Sequence, residues 1–138
     1  MAVHTSIRSF TASLARYGSD EIPDFQRGRL TVIAMEAARV ITELTPVDIG
    51  RLKGNWQFTI GEPAEGEIER IDPSPEGTPG AETQREVLGL MARWNPGDWL
   101  WFHNGAPYAT AINDGDGGRE AFHMVERTVA HLQQWVGD

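Results

Sequence analysis

One apolar stripe constrains this chain more than any other feature. Phe25, Leu30, Ile33, Ala37, Val40, Ile41 and Leu44 recur at helical spacing, while Arg29, Glu36, Arg39 and Glu43 fall off the stripe. The pattern predicts an amphipathic helix over Asp24–Leu44. At 1.5 Å per residue it spans roughly 30 Å, enough to cross a small domain. Thr45-Pro46 ends it, because the residue before a proline avoids helical backbone. A chain of 138 residues suits a single domain, 1–138, built around such a rod. At this size roughly 68–70% of the unfolded surface is buried, so the core needs no staples. Cysteine is absent, which excludes disulfides, Cys-based zinc sites, iron–sulfur clusters and thiol catalysis.

Upstream of the rod, Ile7, Phe10 and Leu14 predict a short helix over Val3–Tyr17. Ser19 or Asp20 is placed to cap the long helix, with Pro23 in its first turn. Downstream the period falls to two: Trp56, Phe58 and Ile60 share one side of a strand. Gly61–Glu82 holds four prolines, four glycines, seven acidic residues and one arginine. It reads as a mobile, exposed excursion, with room for a short strand at Glu67–Ile71. Thr83–Trp94 is predicted as a shorter helix with Val87, Leu88 and Met91 inward. Trp99–His103 is a strand, Asn104-Gly105 a turn, and Tyr108–Ile112 the second strand of a hairpin. After a glycine-rich loop, Asn113–Gly118, a last helix is predicted over Arg119–Val136 with Phe122, Val125, Val129, Leu132 and Val136 inward. This order defines an α+β fold. Its small, mostly antiparallel sheet of about three to four strands is packed by a long N-terminal helix, a shorter middle helix and a C-terminal helix.

The formal net charge is −8, a field that repels phosphate backbones and anionic membranes. Sequence-specific nucleic-acid binding is therefore not expected, whereas letting DNA slide past without adhesion is compatible. Met1–Arg16 lacks the apolar stretch of a signal peptide, and the best apolar run, Leu30–Ile41, is broken by Glu36 and Arg39. Asp114-Gly115-Asp116-Gly117-Gly118 begins like a calcium loop. Gly118 then stands at a ligand position, and Val125 where the bidentate glutamate belongs. His103, His123 and His131 lack the i, i+4 pairing of metal-binding helices. No nucleophile elbow, P-loop or dinucleotide fingerprint is present. No catalytic, metal or cofactor residue is assigned, and the chain is not read as an enzyme.

Three stretches carry a resemblance. They are Thr45-Pro46-Val47-Asp48-Ile49-Gly50-Arg51-Leu52-Lys53-Gly54-Asn55-Trp56, then Phe102-His103-Asn104-Gly105-Ala106-Pro107-Tyr108-Ala109, then Met124-Val125-Glu126-Arg127-Thr128-Val129. In this order and spacing the chain, from about Val32 to Val129, resembles the tail-completion, or neck, proteins of long-tailed bacteriophages. It departs from them at Ile49, where threonine is usual, near Asn113, where a glutamate is usual, and at His123, in place of a small residue or glycine. The resemblance implies a structural virion protein, made in the bacterial cytoplasm and placed in the particle's neck. It implies a ring, six copies by analogy with neighbouring layers, that joins the connector or stopper to the tail terminator or tail tube and encloses DNA. It implies no cofactor and no membrane.

The same residues have local readings. Pro46 stops the helix, Asp48 is placed to accept backbone hydrogen bonds from Gly50 or Arg51, and Gly50 suits a positive φ. The stretch is then a rigid corner, or a corner whose Arg51 and Lys53 also meet an acidic neighbouring subunit. Asn104 to Tyr108 is first a turn and, alternatively, an inserted hairpin tip. Trp99 and Trp101 share one strand face opposite Leu100 and Phe102, so one face is central or is sealed by a partner. Asp48, Arg51, Lys53, Trp56, Trp99, Trp101, Asn104 and Tyr108 are the expected contact residues. Glu65, Glu67 and Glu69 are expected in a channel-facing loop. The competing reading is a small soluble adaptor or regulatory protein that binds a protein partner through its tryptophan-rich sheet, with no virion role.

Overall fold

The computed structural model describes residues 3–5, 10–12 and 23–137, with side chains described from Gln26 to Val136. The apolar stripe folds as α1, Pro23–Leu44, and buries Leu30, Ile33, Ala34, Ala37, Ala38 and Ile41. The other elements are β1 (Val3–Thr5), β2 (Phe10–Ala12), α2 (Arg51–Gly54), β3 (Trp56–Ile60), α3 (Ala81–Met91), β4 (Leu100–Asn104), α4 (Ala109–Asp114) and α5 (Met124–Gly137). The fold is α+β with a small antiparallel sheet. β3 and β4 make its longest pair, and the sheet runs in the order β1-β2-β4-β3. Phe58 pairs with Phe102, their rings 4.0 Å apart, and both face a core completed by α1, α3 and α5. Among the described residues no helix is long and apolar enough to cross a membrane.

Several expectations change. In place of a helix over Val3–Tyr17, the described parts of that segment are β1 and β2, with Phe10, Thr11 and Ala12 paired to Phe102, Trp101 and Leu100. Ile7, Leu14, Ser19 and Asp20 lie outside the described residues. Pairing on β4 satisfies backbone groups that a single short helix leaves open at both ends. The same pairing removes the expected hairpin. With β2 on one side and β3 on the other, β4 has no edge left, and the chain after Tyr108 turns into α4. In α3 it is Leu90, not Leu88, that is buried beside Val87 and Met91; Leu88 is 54% exposed. α5 begins at Met124, five residues later than Arg119, which leaves Phe122 exposed.

Candidate functional site

The Thr45–Asn55 stretch folds as a corner between α1 and β3. Thr45 holds its start. Its hydroxyl donates to Ile41 O at 2.6 Å and accepts from the Trp56 indole at 2.8 Å, so the helix end and the strand start are tied by one side chain. Gly50, at φ 85°, precedes α2, and no side chain caps that helix. Asp48 therefore does not make the expected capping bond and stands exposed. A Cβ on Gly54 would lie 2.2 Å from Arg70 O, and one on Gly105 1.9 Å from Gly66 O. Glycine is required at both because the acidic excursion lies directly on the corner.

Asn104 closes the corner from the other side. Buried, it donates through Nδ2 to Leu52 O at 2.9 Å and accepts from Ala106 N–H at 3.0 Å. Gly105 N–H reaches Asn55 O at 3.4 Å. Trp56 is fully buried opposite Asn104 in the β3–β4 register. Lys53 is fully buried too, its ammonium donating to Thr78 O at 2.6 Å and Pro75 O at 3.1 Å. Burial pushes the lysine down from its ordinary range, and the charge of Asp72 opposes that shift. Lys53, Trp56 and Asn104, expected at a subunit contact, thus spend their polar groups within their own chain.

Arg51, Tyr108 and Asp48 remain at the surface. Arg51 donates to both oxygens of Glu67, at 2.6 Å each, and its guanidinium lies 5.4 Å from the Tyr108 ring centre. The hydrogen bonds lower Glu67 and raise Arg51, while burial raises Tyr108. Asp48, Arg51 and Tyr108 rim a cleft of about 450 Å³ together with Pro46, Ile49, Ile112 and Arg119. Glu65, Glu67 and Glu69 are all exposed, and Glu67 is paired with Arg51. Trp99 and Trp101 are half-buried on the outer sheet face, rings 6.5 Å apart, and Trp101 donates to Gly61 O at 2.8 Å. Among the described residues no group of three His, Asp or Glu side chains is placed to hold a metal.

Two positions that sequence reasoning passed over do much of the positioning. Asn113 is buried at the end of α4. Its Oδ1 accepts from Val125 N–H at 3.0 Å, capping α5 from a distance, and its Nδ2 donates to Glu126 at 2.8 Å. Just before α5, His123 takes φ 49°, a conformation that favours glycine, at the position where the resemblance carries a small residue. The other is Arg70, whose only signal in the sequence is being the one cation among seven acidic residues. No known family, curated protein or solved structure matches this chain significantly.

Proposed function

We propose that this chain is a structural subunit of a tailed bacteriophage, a neck or tail-completion protein at the head–tail interface. The observation that carries the reading is convergence. Of the three stretches that resemble neck proteins, 45–56 and 102–109 meet in one corner, and 124–129 adds its buried residues to the same core. Asn104 and Gly105 bond to Leu52 and Asn55, and Leu52, Trp56, Phe102, Ala106, Ala109, Met124, Val125 and Val129 share one core. In this reading the working unit is a sheet of three to four strands backed by α1, α3 and α5. Copies join head to tail into a ring, six by analogy, because a ring uses two different surfaces of each subunit. The cleft rimmed by Asp48, Arg51 and Tyr108 is the contact to a neighbour, with the connector or stopper on one side and the tail terminator or tube on the other.

The net charge of −8 suits a wall past which DNA moves without sticking. Glu65 and Glu69 are the residues offered to the channel, and neutralising both slows DNA ejection if they line it; unchanged ejection kinetics reject that part. The reading assigns no reaction and no cofactor, and places the protein in the virion after synthesis in the host cytoplasm. An adaptor that binds a protein through its sheet is the second reading, favoured by the half-buried Trp99–Trp101 pair on the outer face. Negative-stain images with light scattering across a concentration series test the first reading. Closed rings of uniform size, and a fixed copy number in purified particles, support it. A monomer at every concentration, absent from particles, rejects it in favour of the adaptor.

A further inference from the structure

β3 ends the sheet order β1-β2-β4-β3, so one side of it has no strand partner. Such an edge is a template for another chain unless something closes it. Gly61 N–H donates to Trp99 O at 2.8 Å, continuing the ladder, while Phe58 N–H turns away to Glu86 Oε1 at 3.3 Å. In an antiparallel ladder this alternation points the main-chain groups of Trp56, Phe58 and Ile60 outward. Side chains close the first part of that edge. Arg70 Nη2 donates to Trp56 O at 2.7 Å, Arg70 Nε to Gly54 O at 2.8 Å, and Arg70 is ion-paired to the same Glu86 that takes Phe58 N–H. The bracket stands where a further strand would lie. Beyond it, Phe58 O and Ile60 N–H have no partner among the described residues. They border a groove of about 340 Å³ lined by Phe58, Thr59, Ile60, Leu90 and Arg93.

We propose that the Arg70–Glu86 bracket is a self-blocking contact on the β3 edge, and that opening it lets this edge pair with β3 of a second copy of the chain. The edge is complementary to itself. A two-fold axis through Phe58 sets Trp56 of one copy against Ile60 of the other, so outward donors meet outward acceptors. Glu86, on α3, holds Phe58 N–H beside this axis, so pairing displaces it from that amide, and Arg93, two residues past the end of α3, lines the groove with Ile60. The inference concerns the β3 edge and stands apart from the neck reading, which rests on the corner.

The test compares wild type with Arg70→Ala and with Arg70→Gln, the latter retaining a donor near Gly54. Sedimentation velocity and amide exchange at Phe58 and Ile60 are the readouts, with circular dichroism to confirm folding. Opening the bracket strengthens dimer formation by at least about tenfold and slows exchange of the Ile60 amide in the dimer. Ile60→Pro added to either variant reverses the gain, because the lost N–H faces outward and the ladder to β4 stays intact. If Arg70→Ala does not fold, Arg70→Gln carries the test. A folded variant that stays monomeric, or a dimer indifferent to Ile60→Pro, overturns the proposal.

Discussion

Two glycine-rich segments break the periodicity of this chain, and the fold treats them differently. Residues 61–80 are sewn to the body along their length. Gly66 O accepts from Gln57, Ile68 N–H donates to Asn55, Asp72 N–H to Gly50 O and Gly80 N–H to Thr42, and Arg70 reaches Gly54 and Trp56. The Asp114–Ala121 segment is held chiefly at its ends. Gly115 N–H bonds to Ala111 O, Phe122 N–H to Ile112 O and His123 N–H to Asn113 O, while Asp116 to Glu120 stand exposed. Similar composition therefore conceals opposite attachments. Exposure follows from polarity, but attachment depends on whether a segment carries side chains that can satisfy groups elsewhere.

Arg70→Ala should break the comparison most sharply. It strands two buried carbonyls and Glu86, at a cost of about 3 kcal/mol, read as a shift in the urea midpoint. If the variant is as stable as wild type, the first segment is no better attached than the second. An acid titration gives a reference outside both loops. Glu36 accepts two hydrogen bonds from Arg39 within α1 and one from His131, which ties α1 to α5. Mainly through Arg39, its carboxyl is held down from 4.5 to about 2. The charged form is favoured in the folded protein, so the stabilisation is complete above pH 4.5 and drains away as pH falls toward 2. About 2 kcal/mol should disappear over that window, and Glu36→Gln should flatten it.

Asn113→Ala should cost less, about 1–2 kcal/mol, because it removes the remote cap of α5 and leaves Val125 N–H without its partner. His123→Gly should relieve the positive φ and change the melting temperature little or upward; a clear loss would mean the His123–Glu126 contact outweighs the strain. The smallest effect is expected from two glycines inserted between Gly117 and Gly118, under about 0.5 kcal/mol. The same insertion between Ile71 and Asp72 should be far worse, since it slips the Gly50–Asp72 and Lys53 contacts out of register.

Much of the architecture is legible where periodicity runs long. α1 matches its predicted stripe to within a residue, and Pro46 ends it as expected. Short segments mislead for a definite reason. Ile7, Phe10 and Leu14 satisfy helical spacing, yet the described Phe10–Ala12 is a strand because β4 offers an edge, and no local pattern reports an edge. Tyr108–Ile112 has the composition of a strand, but this same pairing leaves it without a place in the sheet. At the candidate site, the motif alone points to Arg51 and Tyr108 at the surface, but it points equally to Lys53, Trp56 and Asn104, which are interior. Charge and polarity alone do not distinguish a lysine in solvent from one enclosed by the carbonyls of a segment more than twenty residues away.

The long helix, the α+β class and the acid-rich surface can be read from the order of residues, because neighbours within one or two turns of chain and overall composition set them. Which strand β4 pairs with, which residues of the corner are buried, and how the acidic segment is fastened were settled only in three dimensions. Those outcomes rest on hydrogen bonds between residues far apart in the chain. A backbone group left unpaired in the interior costs more than any local preference supplies, so the fold is settled by where partners can be found.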